Sequence, residues 1–178
     1  LSGETNEAIE NSFIGHHTGL KMVDSVSNTI KNNTFKSNSP WAISMSDGTI
    51  NNLIERNDII LNSNGIRIGV STIKMTVLNN LIRYNHIVAN SGLAVLINSG
   101  PQDEIEFNNI FNNNSTGVNQ VTTGVKIDMD FDSNYWNTPN PKTVKTYIYD
   151  FYDNPDLGKV GHEPFLEKLV NGGGSIDE

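Results

Sequence analysis

Four stretches of the chain share one frame, I-x-x-N-x-[I/F]-x-x-N, and this repeat limits the possible folds more than any other feature. The frame is met at 30–38, 54–62, 82–90 and 105–113. Its first half returns at Phe131-Asp132-Ser133-Asn134-Tyr135-Trp136, and a degraded copy with Asn11 and Phe13 begins near Ala8. The apolar residue after the Asn marks a column of Phe13, Phe35, Ile59, Ile87, Ile110 and Trp136, with steps of 22, 24, 28, 23 and 26 residues. A drifting period of this kind is the signature of a solenoid, in which each unit buries its apolar face only against its neighbours.

Helical repeats need longer units and apolar spacing of three and four. Here the local spacing is two, as in Ile66-x-Ile68 and Val95-x-Ile97, and short β-branched runs are broken by Asn, Gly and Ser. Such runs read as short strands joined by tight turns. A leucine-rich repeat requires Leu in an L-x-x-L-x-L frame with one Asn per unit, whereas this chain has few Leu in the frame and two Asn per unit. Coils stacked in register place parallel strands about 4.8 Å apart. Asn33, Asn57, Asn85 and Asn108 then form one file, and Asn38, Asn62, Asn90 and Asn113 another. Asn tolerates left-handed turn geometry, and its amide can donate to one coil while accepting from the next. Asn supplies 27 of the 178 residues, so most of them are expected to be ladder rungs or turn formers rather than chemistry.

The coil I-x-x-N-x-I-x-x-N-x-x-G-I-x-I, complete at 54–68, resembles that of right-handed parallel β-helix proteins with pectate-lyase-like coils. These include the repeats described as carbohydrate-binding and sugar-hydrolase domains. The likeness covers about residues 6 to 136 and implies an all-β, right-handed parallel β-helix of about six coils. Asn134-Tyr135-Trp136, Asp153-Asn154-Pro155 and Pro164-Phe165-Leu166 are similar to the C-terminal end of surface-associated members. The copper-site maturation branch of this fold follows Asn-Tyr-Trp with an Asp- and Gly-rich stretch ending in a Pro-aromatic pair. That stretch is missing here, which sets this branch aside.

The expected organisation is coils over 1–136, a cap over 137–170 and a flexible tail over 171–178. In the cap, Pro141 to Phe151 has apolar residues at 144, 147, 148 and 151, with Asn140 as N-cap and Pro141 at the first helical position. It is expected to form an amphipathic helix over the open end of the solenoid, where unpaired strand edges would otherwise be exposed. The polar residues 1–7 are too few to cover the other end, so further coils before Leu1, or a partner covering that end, are expected.

A net charge of −8 disfavours a nucleic-acid backbone as partner, and no apolar run is long enough to span a membrane. The chain has no Cys, which excludes disulfides and thiolate metal sites and is compatible with an exported, extracellular or cell-surface protein. Outward columns are the positions free to carry function. One column, Glu10, Lys31, Glu55, Arg83, Glu106 and Asp132, alternates in charge over its first five rungs and reads as a ladder of ion pairs. A second contains Lys21, Ser44, Arg67 and either Leu96 or Ala94, followed by Asn119, with Asp24 and Asp47 just beyond its strand.

If Asp24 and Asp47 stack, they could serve as a retaining acid and nucleophile with Lys21 and Arg67 alongside, or as oxygen ligands for Ca²⁺. They could also be two turn residues, since Asp47-Gly48 is an ordinary turn dipeptide. Asp128, Asp130 and Asp132 alternate with apolar residues on one strand face. They offer either a cation site, again suited to Ca²⁺, or a charged face that blocks edge pairing. His16-His17, His86 and His162 have no partner at metal-like spacing and read as incidental. Trp41, Tyr84 and Tyr135 are the candidate outward aromatics for a sugar surface. The fold's association with sugars points to a polysaccharide or glycan as ligand, bound or processed, with a non-catalytic structural or adhesive module, calcium-stabilised or not, as the alternative.

Overall fold

The computed structural model describes residues 1–69, 77–98 and 102–171; most of the proposed tail lies outside them. It is a right-handed parallel β-helix of about six coils. Each full coil contributes one three-residue strand to each of three parallel sheets. The coil at 52–68 shows the plan: Leu53–Glu55, then Asp58–Ile60, then Ile66–Ile68.

The first and second strands of a coil begin five residues apart because two corner residues separate them, and two such residues also follow the second strand. Of each pair the first is left-handed, as at Arg56 (φ 55°) and Leu61 (φ 56°), and the second is Asn. A left-handed bend costs a non-glycine residue about 1–2 kcal/mol, so the corner must be held from outside. The Asn does this. Oδ1 of Asn57 accepts from both the backbone N and Nδ2 of Asn33, each at 2.9 Å. Its own Nδ2 donates to the Ile30 carbonyl at 2.9 Å and to Asn85 Oδ1 at 2.9 Å. The two expected files are present in this form, running from Asn11 to Asn134 and from Asn38 to Asn113.

A third file was not anticipated. Asn6, Asn28, Asn52 and Asn80 line the first corner of each coil and end on Asp103, whose Oδ1 accepts from the N and Nδ2 of Asn80 at 2.9 Å each. The third-corner file ends on a substitute of the same kind, Gln120 Oε1, which takes both donors of Asn113.

Ile30, Ile54, Ile82 and Ile105 from the first sheet and Phe35, Ile59, Ile87 and Ile110 from the second fill the core, each at most 1 % exposed. In the third sheet the pattern inverts: Leu20 and Met22, or Ile66 and Ile68, face inward and only the middle residue faces out. The coil closes without a side chain just before that strand. A Cβ on Gly65 would collide with the Ala94 carbonyl of the next coil, so the close stacking there requires glycine.

The cap departs from expectation. Asn140 caps a helix and Val144 is buried in the core, but the helix covers only Pro141–Thr146. Ile148–Tyr149 instead continues the third sheet, pairing with Val121 and Thr122, and Phe151 is exposed. The unpaired edge of Val121–Thr123 competes for this segment and takes it as a sixth strand, a tertiary preference that apolar spacing alone cannot reveal.

The charge ladder is also partly reassigned. Register opposes Ile9, not Glu10, to Lys31, because Glu10 occupies the left-handed corner (φ 57°). The remaining rungs hold, with Lys31, Glu55, Arg83 and Glu106 in register. Lys31 Nζ lies 3.0 Å and Arg83 Nε 2.9 Å from the buried Glu55 carboxylate, with Arg56 at 3.4 Å. Burial opposes the Glu55 charge, but hydrogen bonds and attraction from Lys31 and Arg83 more than offset it and hold the carboxyl below its ordinary range. Burial and repulsion from Glu104 and Asp132 push the Glu106 carboxyl up, against the pull of Arg83.

Two predictions follow from this geometry. Asn57→Ala takes the acceptor from the buried backbone N of Asn33 and from one of its Nδ2 hydrogens, at about 1–3 kcal/mol for an unsatisfied group. Its urea midpoint should fall well below that of Asn11→Ala in the open first coil. The two glutamates should behave oppositely with pH. The Glu55 carboxyl is depressed on folding, so its contribution is present above its unfolded value of about 4.3 and lost as pH falls through the folded one. Glu106 is raised, so ionisation costs the folded state stability once pH passes that unfolded value. Thermal melts at about pH 7 should show Glu55→Gln less stable and Glu106→Gln more stable than the parent, with both differences shrinking below about pH 4.

Candidate functional site

Because the third sheet turns one residue per strand outward, its outer face is a single file: Lys21, Ser44, Arg67, Leu96, Thr122 and Tyr149 in register. The expected Asn119 is replaced by Thr122. Asn119 sits in a left-handed corner (φ 52°), ahead of the strand, after the excursion at 114–118.

At the start of this file lies a groove of about 460 Å³ lined by His16, His17, Thr18, Lys21, Pro40, Ser44 and Arg67. The two histidines come from the turn between Gly15 and Gly19, held where the His16 backbone N donates to Asn38 Oδ1 at 2.9 Å. Arg67 is fixed on two sides. Its Nε and Nη2 donate to the buried Ser44 Oγ at 3.2 and 2.9 Å, and its guanidinium carbon lies 5.6 Å from the centre of the Trp41 ring. Burial lowers the Arg67 pKa from its ordinary value, and the group stays charged at any physiological pH. Among the described residues, Lys31, Arg56 and Arg83 gather on Glu55, while no carboxylate reaches ion-pair distance of Lys21 or Arg67.

The structure therefore divides the four residues first grouped as catalytic. Lys21 and Arg67 share the groove, but Asp24 and Asp47 are not among its lining residues. Those two stack in the turn after the strand, where the Asp24 amide donates to the Asp47 carbonyl at 3.0 Å. The Asp24 carboxylate packs against Gly48, which adopts φ 75° there. The aspartates at 128–132 are drawn apart by local backbone. The strand covers only Met129–Asp130, and Asp132 has already entered the following turn. Asp128 Oδ1 accepts from the Lys159 backbone N at 2.8 Å and Asp130 Oδ1 from that of Asp132 at 3.1 Å. Asp130 and Asp132 instead border a small acidic hollow of about 180 Å³ with Asp103, Glu104 and Glu106. Among the described residues, no group of three or more His, Asp or Glu side chains is arranged to hold a metal ion, so calcium gains no support.

The aromatic expectations change as well. Trp41 is 8 % exposed and backs Arg67 rather than offering a free face. Tyr84 stacks on Phe107 at 5.5 Å, with Arg56 and Arg83 over its ring. Tyr149 lies at the far end of the outward file, where no repeat motif marked it. The histidine pair read as incidental lines the groove. It was missed because Arg67 reaches the groove from two coils and some fifty residues further along the chain.

The stacked parallel strands, inward Ile files and Asn corners define the class: a right-handed parallel β-helix protein. The profile of the family described as NosD, periplasmic copper-binding protein, matches residues 2–154, and the chain belongs to that family. No curated protein and no solved structure matches it. This membership corrects the setting aside of the copper-site branch. The stretch missing after Trp136 is no criterion for a family whose match extends over the coils themselves.

The family's description raises copper, which is bound by thiolate, thioether or imidazole. The chain has no Cys. Met22 and Met45 are fully buried core rungs, and Met129 is 5 % exposed. His16 and His17 share their groove with two cations that repel a metal. His86 and His162 belong to other regions, the second sheet and the cap. The described residues do not fit a copper centre. After dialysis against a copper chelator, the protein should melt at an unchanged temperature, and reloading followed by gel filtration should retain no stoichiometric copper by metal analysis.

Proposed function

We propose that the chain is an exported β-helix module that binds an extended glycan along the outer face of its third sheet and holds it without cleaving it. One observation carries this reading: the file from Lys21 to Tyr149 presents one side chain per coil. At about 4.8 Å per step, its five intervals extend over about 24 Å. Such a comb suits a ligand that is itself extended and repetitive, and it lies between a polar groove and a tyrosine.

Export is supported by the word periplasmic in the family's description and by the absence of Cys, which suits a chain independent of redox state. No helix among the described residues is long and apolar enough to cross a membrane. Binding without cleavage is favoured because the two carboxylates just beyond its first strands, Asp24 and Asp47, do not line its groove.

Affinity electrophoresis against immobilised neutral, uronate-containing and sulfated polysaccharides, with and without Ca²⁺, tests the reading. Retardation by at least one polymer is expected, independent of Ca²⁺, unchanged in Asp24→Asn and Asp47→Asn, and with no new reducing or unsaturated ends. Migration unaffected by every polymer would leave the chain a purely structural module.

A further inference from the structure

The lysine and arginine in the groove raise a problem of charge. The protein has a formal charge of −8, yet two of its cations stand together with no acidic partner among the described residues, while three others converge on Glu55. Arg67 is partly desolvated, and a guanidinium withdrawn from water without a counter-ion is unfavourable unless an anion completes the site. Its placement is not accidental. Ser44 takes two of its donor contacts and Trp41 backs its plane, so the remaining donors are fixed in direction before any ligand arrives. Lys21 stands two rungs away in the same file, so its ammonium and the guanidinium approach the groove from either side of Ser44. Thr18, His16 and His17 complete the wall with hydrogen-bonding groups.

We propose that this groove is an oxyanion subsite, in which Arg67 and Lys21 clamp one carboxylate or sulfate ester carried on a sugar ring and Ser44 acts as the positioning residue for Arg67. The assignment rests on the glycan reading for the identity of the carrier, but not for the chemistry of the subsite. Two cations suit a sparse charge, one oxyanion at the subsite. A nucleic acid carries a phosphate at every step and would meet the repulsion of the net negative chain. An arginine fork takes a planar or tetrahedral oxyanion through parallel N–H bonds, and the lysine adds a point charge. The rest of the file, Leu96, Thr122 and Tyr149, is uncharged and would meet the uncharged part of the ligand.

The test uses the intact chain, an oligogalacturonate, its carboxyl-reduced counterpart, a sulfated oligosaccharide and sodium sulfate alone. Binding is read by titration calorimetry and by Trp41 fluorescence, with Trp41→Phe identifying that ring's share of the signal. One of the two acidic oligosaccharides should bind at least about tenfold more tightly than the carboxyl-reduced one, and the preferred member tells carboxylate from sulfate. Lys21→Ala, at an exposed position that does not threaten folding, and Arg67→Ala should each remove most of that preference. Ser44→Ala should weaken the acidic ligand while leaving the neutral one unchanged, a selectivity that general loosening of the coil would not produce.

Equal affinity for charged and reduced oligosaccharides, or an undiminished preference in the Lys21→Ala, Arg67→Ala double variant, overturns the subsite while leaving the glycan reading intact. Conversely, an Arg67-dependent fluorescence response to sulfate with no oligosaccharide bound retains the subsite and removes the glycan reading. Tighter binding of a DNA or RNA oligonucleotide than of every acidic sugar, abolished by the double variant, overturns the sugar assignment.

Discussion

A side-chain amide that braces a left-handed corner is the interaction on which this architecture rests. Strands of three residues are too short to be stable alone, and the bend between them places non-glycine residues in an unfavourable region of backbone space. Each Asn closes that bend by accepting from two donors of the preceding coil and returning a hydrogen to its backbone. Since the acceptor lies in the following coil, except at Asn113, where Gln120 of the same coil supplies it, a corner is completed only when its successor is in place. The coils therefore stabilise one another in sequence order, and packing of the Ile and Phe files inside follows from corners already aligned.

The period, the parallel sheets and two of the three Asn files were legible because each repeats a residue type at a constant offset. The first-corner file was overlooked for a simple reason. Reading each unit from its leading Ile hides the Asn two positions earlier, although Asn28-Thr29-Ile30, Asn52-Leu53-Ile54 and Asn80-Leu81-Ile82 have the same offset as Asn57-Asp58-Ile59. Misplaced rungs occurred where coils differ in length or conformation. Glu10 gave way to Ile9 at a corner, and Asn119 to Thr122 after an excursion. The cap was legible as a helix start but not as a helix end, because the competing strand edge is made by residues far away in the chain.

The candidate site was half legible. Lys21, Ser44 and Arg67 fell into one column by counting, but their significance comes from what is absent around them, and this needs coordinates. Glu55 draws Lys31, Arg56 and Arg83 together on the first sheet, so those cations share a carboxylate partner, whereas the pair on the third sheet has none among the described residues. Asp24 and Asp47 were correctly placed in adjacent coils yet belong to the turn beyond the groove. Trp41 was selected for its aromatic surface, whereas the fold uses it to orient an arginine.

The Asn files have a polarity that the sheets lack. Along a strand, successive backbone groups point alternately toward the previous and the next coil, and their dipoles largely cancel. The corner amides share one alignment, with the oxygen toward the earlier coil and the backbone N and one Nδ2 hydrogen of each corner toward the later one, while the other Nδ2 hydrogen turns back to the earlier coil. Three parallel lines of such dipoles leave a partial positive charge at the C-terminal end of the stack. The buried terminus of one line is a carboxylate, Asp103, which accepts but does not donate, and Glu104, Glu106, Asp130 and Asp132 surround it. A crowd of like charges thus gathers at the end toward which the corner donors point, and repulsion within it still pushes the Glu106 carboxyl up.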